Sequence, residues 1–258
     1  MLDALCHLDL IQEPVAPILH RAQEAGIKHV ILAGVEPQGW RRQQALCERY
    51  GALYRTIGLH PWAVIRSSPR ELDSALELLE VALSKASTKI VGLGETGLDR
   101  SPRLGTGTAL KFDAQCRAFR RQLLIAKEHE LPLVLHVVRA HGVALEMVRE
   151  FAPFPKGGMV HSFRGSPELA RQWMRQGFDI SISPKVINPN AKRLHLTVST
   201  IPSDRLLIET DSPDQLKEPA QLQSVLDAVA EARNSHPNEI AAQTTHNAHR
   251  LFGLGPIS

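Results

Sequence analysis

The chain has 258 residues, 43% hydrophobic and 22% charged, which is the composition of an ordinary globular protein and excludes collagen-like, coiled-coil and disordered chains. The formal charge of +3 reflects 30 basic against 27 acidic residues, an excess too small to indicate nucleic-acid binding by itself. No apolar run approaches the roughly 18 residues of a membrane span, and neither a signal peptide nor a disulfide framework is recognisable.

Short apolar segments alternate with longer amphipathic segments along the chain, a pattern that predicts strands followed by helices. Strands are predicted at residues 2–7, 29–34, 53–59, 89–95, 133–136, 158–161, 179–183 and 205–209. Helices are predicted at residues 14–25, 37–50, 71–85, 109–130, 143–150, 167–176, 191–200, 221–234 and 238–251. Most of the strands are almost continuously apolar, which is typical of strands covered on both faces.

Eight repeats of strand and helix predict an α/β fold, a TIM (β/α)₈ barrel that occupies residues 1–258 as one domain. A doubly wound open sheet is the alternative, but no G-x-G-x-x-G motif follows the first strand. Gly, Pro and Ser within residues 100–108 predict a loop after the fourth strand. Because the three cysteines are scattered, we expect a cytoplasmic protein that does not associate with membranes.

Imidazole and carboxylate groups stand where several of the predicted strands end. His7, Glu95, His136 and His161 are the last residues of four strands, and Asp211 follows the eighth. In a barrel these strand ends surround one shared mouth. Carboxylates that converge there repel one another unless a cation lies between them. The pattern therefore predicts a divalent metal ion, Mg²⁺, Mn²⁺ or Zn²⁺, which would lower the pKa of bound water.

Seven short motifs follow one another along nearly the whole chain, and their order is more specific than any one of them alone. They are DALCHLD (3–9), GLHP (58–61), GETGLD (94–99), LPLVLH (131–136), VHSFRGS (160–166), LIETDSP (207–213) and NAHRLF (247–252). In these motifs the chain resembles the TatD family of metal-dependent deoxyribonucleases, which are amidohydrolase-like barrels. The resemblance implies a barrel of the metallo-dependent hydrolase type.

The resemblance also implies a role for each matching residue. The position of Glu95 bridges two metal ions. His136 and His161 match ligands of the second ion, whereas His7 and Asp211 match ligands of the first. Glu95 and Asp211 are the implied catalytic residues, and Asp211 is a candidate general base. Glu209, two residues before Asp211, is expected to support the site through a hydrogen bond.

The implied substrate is DNA or another phosphodiester, because the family hydrolyses phosphodiester bonds, in many members from DNA 3′ ends. His60 matches a residue close to the substrate phosphate. Asp99 and Arg139 are further candidates for contact with substrate, although Asp99 could instead hold its loop. The sequence leaves the oligomeric state open, and we expect a monomer.

The first metal position departs from the family pattern. The family begins with aspartate-x-histidine-x-histidine, and here Leu5 replaces the first histidine. Because side chains alternate along a strand, Leu5 and His7 face the mouth together while Cys6 faces away. We therefore expect the second ion to bind normally and the first to bind weakly or not at all. The alternative is that two ions persist, with His60 or water in the place of the missing imidazole.

Two further departures from the family pattern affect residues expected to bind the substrate phosphate. Family members commonly carry arginine two residues after the position of His136, where this chain has Val138 followed by Arg139. The family also has a longer basic stretch after the position of Asp211 than this chain does. Fewer guanidinium groups mean weaker binding of phosphate oxygens. A hydrolase of another small ester-like substrate and a non-catalytic family member therefore remain alternatives to a nuclease.

Overall fold

A computed structural model provides the structure of residues 1–85, 89–102 and 109–255. The predicted loop at residues 100–108 lies mostly outside the described residues. Within them, no helix combines the length and the apolar character that crossing a membrane requires.

Eight parallel strands form one sheet in the order in which they occur along the chain. The strands are β1 (Leu2–Cys6), β2 (His29–Leu32), β3 (Leu53–Ile57), β4 (Ile90–Asp99), β5 (Leu133–Val138), β6 (Gly158–Val160), β7 (Phe178–Ile182) and β8 (Leu206–Ile208). The two edges meet where the backbone N–H of Asp211 donates to Leu5 O at 3.0 Å and that of His7 donates to Ser212 O at 2.6 Å. The sheet is therefore a nearly closed barrel, and the predicted TIM-barrel fold is confirmed.

Helices connect the strands and cover the outside of the barrel. They are α1 (Val15–Glu24), α2 (Pro37–Arg49), α3 (Pro61–Arg66), α4 (Pro69–Ser84), α5 (Ala109–Glu128), α6 (His141–Phe151), α7 (Pro167–Arg175), α8 (Lys192–Thr200), α9 (Leu222–Arg233) and α10 (Pro237–Phe252). All nine predicted helices are present with bounds shifted by a few residues. Helix α3 was not predicted from the sequence, because six residues are too few to show a helical period.

The strand ends differ slightly from the prediction. Six strands end one or two residues earlier than predicted, so His7 and His161 follow β1 and β6 instead of ending them. Strands β4 and β5 are longer, because they remain paired as far as Asp99 and Val138. Asp99 ends β4, and most of the other predicted site residues follow the end of their strand: His7, His60, Arg139, His161 and Asp211. Glu95 and His136 instead lie inside β4 and β5, four and two residues before the strand ends.

Side chains of the strands alternate between two apolar layers. Val30 and Leu32 pack in the larger layer with helical residues such as Phe119, whereas Ile31 between them belongs to a smaller layer. The smaller layer fills the barrel interior, as strand alternation requires. Leu5 belongs to this inner layer and Cys6 to the outer one, so the two side chains lie on opposite sides of β1, as predicted. That Leu5 faces the mouth together with His7 stays a prediction.

One histidine between the barrel and its helices should make stability depend on pH. His141 begins α6, and its Nδ1 accepts a hydrogen bond from buried Trp173 Nε1 at 3.1 Å. Burial lowers the pKa of His141 to about 4. Between pH 6.5 and 4 the unfolded chain therefore binds a proton at this ring that the folded chain does not bind, and the free energy of unfolding falls as the pH falls.

We expect the His141→Gln variant to lose less stability than the parent protein when the pH is lowered. Glutamine keeps an acceptor for Trp173 but does not titrate, so acidification from pH 7 to 5 should cost the variant about 2 kcal/mol less. Urea unfolding at both pH values measures this difference. The same replacement at His20, whose side chain is 72% exposed, is the control. Equal pH slopes for the parent protein and His141→Gln would contradict the expectation.

Candidate active site

The C-terminal ends of the strands surround a cavity of about 280 Å³. Six of the predicted site residues line it: His7, His60, Glu95, His136, His161 and Asp211. They come from six different strands or strand ends, and the closure of the barrel brings them together. The predicted convergence of imidazole and carboxylate groups at one mouth is therefore observed.

The carboxylate of Glu95 lies at the centre and divides its two oxygens between two groups of side chains. Oε1 lies 2.9 Å from His161 Nε2 and 3.6 Å from His136 Nδ1. Oε2 lies 3.1 Å from His7 Nε2, and that nitrogen is 3.6 Å from Asp211 Oδ1. Glu95 is 1% exposed. The arrangement has one carboxylate between two sets of potential metal ligands.

Local backbone geometry directs Glu95 into the mouth. Gly94 has φ +154°, and a Cβ there would lie 2.4 Å from the carbonyl oxygen of Val134, so only glycine fits. The register between β4 and β5 is irregular between Leu93 and Thr96. At this irregularity the backbone N–H of Glu95 donates to Gly34 O on the other side of β4, at 2.6 Å. The GETG motif therefore places an acidic side chain inside the barrel.

Glu209 orients His161. Its Oε1 is 3.2 Å from His161 Nδ1 and accepts a 2.7 Å hydrogen bond from Ser162 N, while Oε2 accepts one from Ser181 Oγ. With Nδ1 occupied in this way, Nε2 of His161 faces Glu95. The expected supporting hydrogen bond of Glu209 is confirmed.

Asp99 orients His136 in the same manner. Its Oδ2 is 3.2 Å from His136 Nε2, which leaves Nδ1 of that ring facing Glu95 and His161. Burial by itself raises the pKa of Asp99, but hydrogen bonds from His136 and Ser101 N outweigh it and lower the pKa to about 2. Asp99 is therefore charged at neutral pH. Its contact with substrate stays a prediction, whereas its contact with His136 is observed.

The Asp99→Asn variant is expected to bind metal about 10–100-fold more weakly, because the carboxylate that fixes the His136 ring is lost. Isothermal titration with Mn²⁺ measures the change. Trp62 Nε1 also approaches Asp99 Oδ2, at 3.4 Å, so Trp62→Phe is the matched control and should leave metal affinity within a factor of two or three. An unchanged affinity in Asp99→Asn would show that Asp99 does not position His136.

The pKa values of the central groups respond to burial and to one another. Burial alone raises the pKa of Glu95, but nearby His161 and His7 outweigh it and lower the pKa well below its usual range. Burial by itself lowers the pKa of His161, but the nearby carboxylates of Glu95 and Glu209 outweigh burial and raise the pKa well above its ordinary value. The site thus favours a carboxylate surrounded by cationic neighbours. A metal ion is the other kind of cation that suits such a carboxylate.

Several observations fit a metal ion. Glu95 Oε2 and His7 Nδ1 are buried and have no hydrogen-bond partner among the described residues, because the 3.1 Å contact between Oε2 and His7 Nε2 lacks hydrogen-bond geometry. Two sets of three residues could each hold a metal ion, because the potential ligand atoms within each set lie within 4.8 Å of one another. One set is His60, Glu95 and His136, and the other is His161, Glu209 and Asp211. Since both oxygens of Glu209 already accept hydrogen bonds, Glu95 is the better-placed carboxylate ligand. Imidazole nitrogens and a carboxylate are donors that Zn²⁺ and Mn²⁺ accept.

Asp211 lies just beyond β8 in a left-handed backbone conformation with φ +51°. One carboxylate oxygen approaches His7, and the other accepts a hydrogen bond from Gln215 Nε2. Burial by itself raises the pKa of Asp211, but the close approach of His7 and the charge of His161 outweigh burial and lower the pKa. Asp211 is therefore a charged carboxylate at the cavity wall, and this is the form of the group that can accept a proton.

His60 and Trp62 form a further wall of the cavity. His60 Nδ1 accepts from the backbone N–H of Trp62 at 3.0 Å and caps α3. Its ring is T-shaped against His136, with centroids 4.2 Å apart. Burial and His136 together lower the pKa of His60 well below its ordinary value. A neutral ring suits a hydrogen-bonding role at this wall.

Arg139 does not join the other predicted site residues. It follows β5 with φ +53°, is exposed and does not line the cavity. Among the described residues, the arginine that lines the cavity is Arg66 of α3, whose guanidinium lies 3.7 Å from the Glu36 carboxylate. Neither Arg66 nor α3 was predicted from the sequence. The spacing of four residues between Trp62 and Arg66 was the only available signal.

Asp9 and Gln43 also line the cavity and were not predicted as site residues. Gln43 Nε2 donates to Asp9 Oδ1 at 3.1 Å and to Ala33 O at 2.7 Å. Gln43 Oε1 is buried without a partner among the described residues. The final aspartate of the DALCHLD motif was the available signal for this polar wall.

Comparison with known proteins agrees with this arrangement. The family model described as TatD related DNase matches residues 2–253. The uncharacterized metal-dependent hydrolase YjjV of Escherichia coli is 31% identical over 98% of this chain and 98% of its own length. The 3′-5′ ssDNA/RNA exonuclease TatD of Citrobacter rodentium is 30% identical over 92% of this chain and 91% of its own. The crystal structure of YjjV superposes with a TM-score of 0.90, covering 99% of this chain and 98% of that one.

Proposed function

This chain belongs to the family of TatD-related DNases, and from that premise we propose that it removes nucleotides from the 3′ end of single-stranded nucleic acid in a metal-dependent hydrolysis. The observation that carries the proposal is the placement of Glu95, with one oxygen toward His136 and His161 and the other toward His7. A relative named as a 3′-5′ ssDNA/RNA exonuclease supports the choice of substrate.

We infer that one divalent ion binds tightly between Glu95, His136 and His161. His7, Asp211 and the second oxygen of Glu95 would form a weaker position, because Leu5 offers no imidazole there. Such an ion, when bound, lowers the pKa of water and offsets the charge that develops on phosphoryl oxygens. Mg²⁺, Mn²⁺ and Zn²⁺ all suit this mixture of imidazole and carboxylate, and we favour Mn²⁺ as the probe metal.

The protein side chains supply proton transfer and positioning. Asp211 faces His7 across the cavity and is the group proposed to accept the proton of the attacking water. His60 and Arg66 both line the cavity, and they are the groups proposed to hydrogen-bond phosphate oxygens. A cavity of about 280 Å³ is near the lower limit for small-molecule sites, so it suits one terminal nucleotide better than the middle of a strand.

End-labelled single-stranded DNA tests this function. Incubation with Mn²⁺ should release labelled mononucleotides at once from a 3′-labelled strand and only late from a 5′-labelled strand, and EDTA should stop both. The matched control is a strand whose 3′-terminal linkage is a phosphorothioate, which should be degraded more slowly. Internal fragments from the first time points would contradict an exonuclease, and cleavage that survives EDTA would contradict metal dependence.

One observation favours a second candidate, a hydrolase of a small uncharged ester. Five carboxylates line the cavity, at Asp9, Glu36, Glu95, Asp211 and Asp214. Among the described residues that line the cavity, Arg66 is the one permanent cation, and it pairs with Glu36. A polyanion is repelled by such a wall. Metal-dependent turnover of p-nitrophenyl acetate, without release of nucleotides from DNA, would support this candidate and reject the nuclease.

A further inference from the structure

A second cavity, of about 630 Å³, lies on the outside of the barrel between α2, α4 and β3. It shares none of the described residues that line the active-site cavity. The N-terminal half of α2 separates the two, with Gln43 facing the active site and Arg41 and Gln44 facing this cavity. The second cavity is therefore a separate place on the molecule.

A buried arginine forms part of its wall. Arg55 extends from β3, is 4% exposed and lines the cavity. Its Nη1 donates to Trp40 O at 3.1 Å, while Nε is buried without a hydrogen-bond partner among the described residues. A carbonyl oxygen satisfies one donor but does not neutralise the guanidinium. A buried cation without an anionic partner is costly, and the structure describes no ion pair for it.

The surroundings of Arg55 lack negative charge. Among the described residues that line the cavity none is acidic, and two further cations, Arg41 and Lys85, lie at its exposed rim. Glu48, a carboxylate whose charge raises the pKa of Arg55, already accepts a hydrogen bond from Gln44 Nε2 at 2.8 Å. Burial is the main cause that lowers the pKa of Arg55. The cavity therefore combines positive charge with an unused donor.

The remaining wall is apolar. Leu78 and Val81 of α4, half exposed, and the indole of Trp40 stand beside the basic groups. Water alone would satisfy the guanidinium, but it would leave this apolar surface wet. An anion with an apolar body would cover both kinds of surface.

We propose that this cavity is a binding site for a small oxyanion, a carboxylate or phosphate attached to an apolar group, held by Arg55 at its floor and by Arg41 and Lys85 at its rim. The Nε–H of Arg55 has no hydrogen-bond partner among the described residues, and a guanidinium can donate two parallel hydrogen bonds to one oxyanion. Leu78 and Val81 contact the apolar part of the ligand.

NMR of the arginine side chains of the Mg²⁺-loaded protein tests this site. The Nε–H resonance of Arg55 is assigned as the one missing from Arg55→Met, or from Arg55→Lys if the methionine variant does not fold. Hexanoate, acetate and inorganic phosphate are titrated at constant ionic strength, with chloride as the reference. Hexanoate and phosphate should shift this resonance saturably, and hexanoate should bind at least about tenfold more tightly than acetate because it buries four more methylene groups.

Lys85→Glu reverses a charge at the rim without touching the core, so it should weaken hexanoate binding about tenfold or more. The matched control is Arg49→Glu, an exposed position of α2 that does not line the cavity, and it should leave binding unchanged. The proposal is overturned if the Arg55 resonance does not respond saturably to hexanoate or phosphate, or if Lys85→Glu and Arg49→Glu have equal effects. Binding of phosphate with hexanoate no tighter than acetate would overturn the apolar part of the proposal.

Discussion

Replacement of Glu95 by glutamine is expected to lower kcat/KM on single-stranded DNA by about a thousandfold or more. The carboxylate places one oxygen 2.9 Å from His161 and the other 3.1 Å from His7, so its charge serves both groups of ligands. Glutamine has almost the same shape but offers one acceptor oxygen and no charge. Losing a central metal ligand removes several kcal/mol of stabilisation of the transition state, and each 1.36 kcal/mol is a factor of ten in rate.

The measurement is the initial rate of nucleotide release from 3′-labelled DNA at saturating Mn²⁺, together with metal bound per chain. Glu146→Gln is the matched control, since Glu146 is exposed on α6, and it should keep the parent rate. Circular dichroism confirms that both variants are folded. A Glu95→Gln enzyme with more than a tenth of the parent rate would reject Glu95 as the central ligand.

Replacement of Leu5 by histidine is expected to raise the number of tightly bound ions from about one to about two per chain. Leu5 lies in the inner apolar layer, and its carbonyl oxygen accepts a 3.0 Å hydrogen bond from Asp211 N. The backbone at position 5 is therefore bonded directly to Asp211, a member of the group formed by His7, Asp211 and Glu95 Oε2. An added imidazole should raise the affinity for a metal ion there by about 10–100-fold, because losing even a residue that only orients a metal ligand costs that much affinity.

Elemental analysis after gel filtration in metal-free buffer measures the number of ions. Leu5→Met is the matched control, because methionine fills a similar volume while its thioether does not suit Mg²⁺ or Mn²⁺. Its metal content should equal that of the parent protein. A folded Leu5→His protein that still holds one ion would mean that Leu5 does not limit the first position, and two tightly held ions in the parent protein would reject the one-ion proposal itself.

The architecture and most of the site could be predicted from the sequence because both depend on local patterns. Buried parallel strands are apolar runs, and eight such runs between amphipathic segments suffice for the barrel. Residues that follow those runs, such as His136 and His161, must lie at the same end of the barrel. The sequence likewise predicted Leu5 and Cys6 on opposite sides of β1, and the structure agrees, although the register of β1 is irregular between Asp3 and Cys6 and Ala4 shares the inner layer with Leu5.

Contacts between residues far apart in sequence were decided by the tertiary structure alone. The two oxygens of Glu95 face different groups of side chains, and this orientation depends on the irregular register of β4 against β5, which no local pattern reveals. The pairing of Asp99 with His136 follows from the same two strands remaining paired to their ends. Arg139 is turned outward by a left-handed backbone conformation, and Arg66 supplies the guanidinium of the cavity instead.

The sequence by itself therefore determined which residue types reach the mouth of the barrel, because strand period and strand ends are properties of neighbouring residues. Only the tertiary structure decided which atoms face each other and which charges lack a partner, as for Glu95 and Arg55. The physical reason is that distances of 3 Å between strands depend on register and backbone conformation, and these arise when the whole barrel closes.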